Sequence, residues 1–127
     1  MPGVLYVALG GAIGASLRYG IGEAAFKVSG PGYQWGSFAA NILGGFFMGL
    51  LIGWLAHRVS GAENLRLFLG VGLLGGFTTF SAFSLETWMM IERKAYALAA
   101  GYIGASVILS VFALFMGLMI ARKVFAV

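Results

Sequence analysis

Residues 67–91 read LFLGVGLLGGFTTFSAFSLETWMMI, and Glu86 is the one ionisable side chain among them. A hydrocarbon core about 30 Å thick is crossed by roughly 20 residues of helix, so this stretch can span a membrane. Three more stretches match it: residues 4–26, 35–56 and 96–121. Short polar breaks separate the four, at 27–34 with Ser29-Gly30-Pro31-Gly32, at 58–66, and at Glu92-Arg93-Lys94. Backbone groups in lipid must be satisfied within the protein, which leaves helices or closed barrels. Barrel strands are short and alternate in polarity, whereas these segments are long and continuously apolar. The expected fold is an all-α membrane protein with four transmembrane helices, one domain over residues 1–127, and no internal repeat.

Composition points the same way. The chain is 61% apolar and 9% charged, against about 25% charged in a soluble domain, too few to cover a water-facing surface. There is no cysteine, which removes disulfides, thiolate metal sites and cysteine nucleophiles. The single histidine, His57, sits beside Arg58 at a helix end, so no nucleophile–base–orienter set can be assembled and no enzyme is expected. The two glutamates nearest membrane depth, Glu23 and Glu86, lie far apart in sequence. The net charge of +4 comes from basic residues at segment ends, where headgroups lie, with no aromatic–basic patch for nucleic acid. The first residues lack the basic and small-residue pattern of a removable signal peptide.

Four spans put both termini on one side, with Arg58, Arg66, Arg122 and Lys123. The other side holds Lys27, Arg93 and Lys94, and Arg18 if it leans that way. The positive-inside rule gives no decision, which suggests insertion in both orientations and an antiparallel, dual-topology homodimer. Glycines spaced four apart, Gly45-Gly49-Gly53 and Gly10-Gly14, predict close helix approach. Four helices leave no room for an aqueous path within one copy, so a pathway belongs at an interface between copies.

Polar side chains at membrane depth need a partner or a task. Ser37, Asn41 and Gly45 share one helical face, Tyr102, Ser106 and Ser110 share another, and Phe80 and Phe83 lie three apart. The run Gly75-Gly76-Phe77-Thr78-Thr79-Phe80-Ser81 is poor helix material. A break in the third helix is expected there, freeing carbonyls that must find protein, water or a cation. Singly, each serine could bond back to its own helix, each phenylalanine could pack, and Asn41 could join helices. Together they are uncharged donors suited to a small anion, aided by the positive edge of a phenyl ring.

These motifs resemble the Fluc (CrcB-type) family of fluoride channels. The matching pieces are GGAIGASLRY at 10–19, GSFAANILGG at 36–45, GGFTTFSAFS at 75–84, and the stripe Tyr102, Ser106, Ser110. The likeness runs through all four spans, and the third-span motif is the most specific. It implies passive fluoride efflux from the cytoplasm through a multi-pass protein of the cell inner (plasma) membrane. It implies an antiparallel homodimer in membrane lipid with two pores, each lined by both subunits. By the match, Asn41 donates to fluoride, Phe80 and Phe83 turn ring edges to the ion, and Tyr102, Ser106 and Ser110 form a hydroxyl track. Ser37 keeps the hydroxyl of a threonine common in the family, and Arg18 sits at the vestibule end. Gly75 and Thr78 offer backbone carbonyls to a central structural sodium ion. Ala82 replaces a threonine common in the family and loses its hydroxyl.

The rival reading is a small dual-topology multidrug or metabolite exporter, which needs a membrane-embedded acid for protons and cationic substrate. Glu23 lies near the end of its span, which counts against it. A structural assembly subunit would need no ion-lining stripe.

Overall fold

The computed structural model describes residues 2–29, 34–56 and 62–125. Gly30-Pro31-Gly32 of the first polar break and the pair His57-Arg58 lie outside the described residues. Among the described residues, four helical rods are long and apolar enough to cross a membrane. The first is α1 (Gly3–Ser29) and the second is α2 (Gln34–Leu55). The third begins as α3 (Ala62–Leu65), continues as a π-helix (Arg66–Leu74) and ends as α4 (Gly75–Phe77). After an interruption it resumes as α5 (Ser81–Glu92), and α6 (Tyr96–Phe125) is the fourth.

Burial is inverted relative to a soluble protein. The buried apolar set is small, with Leu51, Leu74, Phe77 and Met90 its largest members beside Tyr102. Large apolar side chains such as Val4, Ile108, Val111 and Val124 stand outside. In lipid these need no cover, and helix association rests on close packing instead.

Glycine makes that packing possible. A Cβ on Gly49 would strike the carbonyl of Leu114, and one on Gly45 the carbonyl of Ser110, so α2 lies directly on the backbone of α6. Gly117 returns the contact against Phe46. On the other side Gly10 and Gly14 seat α1 against Phe68 and Leu73, while Gly76 meets Gly11. The expected small-residue seams are present, and each brings Cα–H groups against carbonyl oxygens.

The third rod therefore changes neighbours along its length. Its first half packs on α1, and α5 packs on α6. The cluster of Met90, Ala99 and Tyr102, with Phe38 and Phe83 against it, fixes α5. The turn into α6 is tight. The N–H of Ala95 bonds to Met90 O and that of Lys94 to Ile91 O, with Lys94 at φ 61°. This is a helix stop in the left-handed conformation that glycine usually supplies.

The π-helical stretch was not legible in the sequence. Its wider turn carries Gly70 and Gly72 on the buried side, against α2 and α1 respectively. The interruption also falls later than the glycine pair suggests. Gly75 and Gly76 remain helical, and the chain departs at Thr78, with φ −82° and ψ 160°.

Candidate functional site

The interruption is held open from α2. The Thr79 N–H donates to Asn41 Oδ1 at 2.8 Å, and Asn41 Nδ2 donates to the Thr79 carbonyl at 3.1 Å. The Thr79 hydroxyl accepts the Ala82 N–H at 3.1 Å, which starts α5. The Thr78 hydroxyl donates to Leu74 O at 3.1 Å, closing the preceding half. In an unbroken helix the Thr79 and Ala82 N–H groups would meet the carbonyls of Gly75 and Thr78. Both are engaged elsewhere, so those carbonyls lose their helical partners. Gly44 on α2 makes room for this geometry, since a Cβ there would collide with the Thr78 methyl group. The neighbouring Gly76 carbonyl receives Arg18 Nε at 3.4 Å.

Beside the interruption is a cavity of about 430 Å³ lined by Asn41, Thr78, Phe80, Phe83, Ser106 and Ser110. The two serine hydroxyls are buried and have no hydrogen-bond partner. Other hydroxyls in the chain behave differently. Ser16 bonds back to Ala12 O, Ser84 to Phe80 O, and Thr87 to Phe83 O, at 2.7, 2.9 and 2.8 Å. Serines in helices normally satisfy themselves this way. Ser106 and Ser110 do not, and leaving a buried hydroxyl unmet costs roughly 1–3 kcal/mol. Phe80 is 78% exposed at the cavity mouth.

A second cavity of about 460 Å³ is lined by Arg18, Glu23, Ser37 and Glu86. Between the two cavities stands Tyr102. Its ring lies 5.2 Å from that of Phe83, which lies 5.5 Å from Phe80. Its hydroxyl donates to Glu86 Oε2 at 2.7 Å, and Ser37 Oγ donates to Glu86 Oε1 at 2.7 Å. The structure thus brings Asn41, Phe80, Phe83, Ser106 and Ser110 around one space and puts Arg18 and Ser37 at another. Tyr102 belongs to the α6 stripe but turns its hydroxyl to Glu86.

Glu86 is the residue that the sequence reading left out of the site. Its three-residue step from Phe83 is the signal that could have placed it on the same face. Among the described residues no three His, Cys, Asp or Glu side chains come together.

The sequence profile of the CrcB-like proteins, Camphor Resistance (CrcB), matches residues 5–118. The chain belongs to the CrcB-like family. A relative from Phenylobacterium zucineum (strain HLK1) is 61% identical over 100 residues, covering 78% of this chain and 79% of its own. One from Caulobacter vibrioides (strain NA1000 / CB15N) is 55% identical over 100 residues, with the same coverage. One from Agrobacterium fabrum (strain C58 / ATCC 33970) is 46% identical over 100 residues, covering 79% of this chain and 80% of its own. Each of these CrcB-like proteins is named a fluoride-specific ion channel FluC.

Proposed function

We propose that this CrcB-like protein is a fluoride-selective channel for passive fluoride efflux across the cell inner membrane. The observation that carries the reading is the pair of buried, unpartnered hydroxyls of Ser106 and Ser110 on the wall of the Asn41–Phe80–Phe83 cavity. Neutral donors facing an uncharged cavity offer a small anion replacements for its water shell, without a fixed positive charge that would trap it. Phe83 adds to this. Its ring lies 5.5 Å from that of Phe80 and 5.2 Å from that of Tyr102, both tilted pairs, and a rim turned to the cavity would present its positive edge.

The path runs from the Arg18–Ser37 vestibule, past Tyr102 and Glu86, to Asn41 and the two serines. An anion arriving from the vestibule competes with the Glu86 carboxylate for the Ser37 and Tyr102 hydroxyls. Its other wall comes from a second copy. The cavity is open on the side where Phe80 and Val111 are exposed, which supports an antiparallel homodimer with two such paths. The carbonyls of Gly75 and Thr78, freed by the interruption, fit a structural sodium ion shared by the two copies. Bound there, sodium supplies positive charge to oxygen ligands that no N–H meets.

Glu86 also gives the exporter reading the embedded acid it needs, although two hydroxyls already engage it. Liposomes loaded with potassium fluoride separate the two. The channel releases fluoride once an ionophore balances charge and retains chloride. Fluoride that stays inside, or release that requires a proton gradient, overturns the channel reading.

A further inference from the structure

The two hydrogen bonds between Asn41 and Thr79 do more than stabilise the interruption. An asparagine amide has an acceptor end and a donor end, and a half-turn about its last bond exchanges them. Here the oxygen takes the Thr79 N–H and the nitrogen serves the Thr79 carbonyl. A half-turn would set donor against donor and acceptor against acceptor. The backbone of Thr79 therefore admits one sense of the amide. In that sense Oδ1 is turned to the Thr79 N–H, and the second N–H of Nδ2 is a donor left for the cavity that Asn41 lines.

We infer that Thr79 is a positioning residue for the ion path, acting through Asn41. It fixes the asparagine with a donor toward the cavity, and so the wall as one that receives an anion at that point. Asn41 in return holds Thr79 out of the helix. The lock is reciprocal: the same two bonds keep the third rod interrupted and give the amide its polarity. The Thr79 side chain takes no part in the lock, because its hydroxyl caps Ala82 and pairs with Ser81 Oγ at 3.3 Å. Thr79→Ser therefore preserves the polarity of Asn41, and the backbone is where the test must be made. The inference rests on the reading of this cavity as an anion path.

One variant replaces Thr79 by its α-hydroxy acid analogue, which turns its peptide N–H into an ester oxygen and keeps the side chain and the Thr79 carbonyl; the Thr78 carbonyl becomes an ester carbonyl, so efflux is read at saturating sodium. In the full-length protein in liposomes, that ester lowers fluoride efflux about tenfold, as expected for the loss of one orienting hydrogen bond. An ester at Leu85, which deletes an ordinary bond of α5, leaves efflux near the unmodified rate. Equal rates for the Thr79 ester and the unmodified chain overturn the inference. A second measurement is independent of conduction. Hydrogen exchange at the Thr79 amide, read by NMR, quickens about tenfold in Asn41→Leu. It stays slow in Asn41→Asp, which keeps the acceptor and serves alone should the leucine variant fail to fold. Rapid exchange in Asn41→Asp, or unchanged exchange in Asn41→Leu, overturns the lock. Absence of fluoride efflux from the unmodified protein would instead remove the channel reading and leave the exchange result standing.

Discussion

Ser37 on α2 and Glu86 on α5 are joined by a 2.7 Å hydrogen bond, and the other Glu86 oxygen takes Tyr102 from α6. One carboxylate on the wall of the second cavity thus ties three helices. Replacing it by leucine strands two half-buried hydroxyls at roughly 1–3 kcal/mol each. Glu86→Leu is expected to lose about 2–4 kcal/mol of stability, read as a lower melting temperature in detergent. Glu86→Gln can still meet both hydroxyls, one as acceptor and one as donor, and is expected to lose less than about 1 kcal/mol. Equal melting of the leucine variant and the unmodified protein would show the triad to be idle.

Ser106 and Ser110 make the opposite prediction. Among the described residues their hydroxyls have no hydrogen-bond partner. Ser106→Ala and Ser110→Ala remove an unmet hydroxyl, so each should raise stability by up to about 1–3 kcal/mol and still slow fluoride efflux. Loss of stability without loss of efflux would assign them to packing with a second copy.

Asn41→Asp retains the acceptor for the Thr79 N–H and removes the amide donor from the cavity. Fluoride efflux from liposomes is expected to fall by about two orders of magnitude or more, equivalent to roughly 3 kcal/mol at the barrier. Phe80→Ile and Phe83→Ile keep bulk and lose the ring rim, and each is expected to slow efflux. Rates like those of the unmodified protein in both isoleucine variants would leave the rings as packing groups.

How much of this was legible in the sequence follows from the range of each interaction. The four rods are written in the contrast between long apolar runs and short charged breaks. The glycine seams are written in their four-residue spacing, because α2 meets α6 along a straight face. The interruption was visible as weak helix material over residues 75–81, and its place within that run, at 78–80, was not. Gly75 and Gly76 stay helical because Gly76 is pressed against Gly11 of α1, and the departure waits for Asn41 to take the Thr79 N–H. Glu86 went unassigned because its two partners lie 49 and 16 residues away, on helices whose rotation no local pattern fixes. The π-helix lies in a run whose glycines and leucines suit an α-helix equally well.

Glycine itself can be tested by contrast. Gly49→Ala places a methyl against the Leu114 backbone, which cannot yield as a side chain would. It is expected to cost roughly 1–3 kcal/mol. Gly20→Ala meets nothing within 4 Å and is expected to be neutral, or stabilising by up to about 1 kcal/mol. Thermal melting of the pair in detergent distinguishes a required close approach from a general abundance of glycine.

The third rod rests on α1 before Thr78 and on α6 after Phe80. A continuous cylinder would transmit any tilt from one end to the other. Here the two lengths can be trimmed separately by drift, each answering to its own neighbour, while the three-residue joint between them is held to a fixed shape. Tolerated variation should therefore fall into two blocks that change independently, divided by a short segment that hardly changes at all.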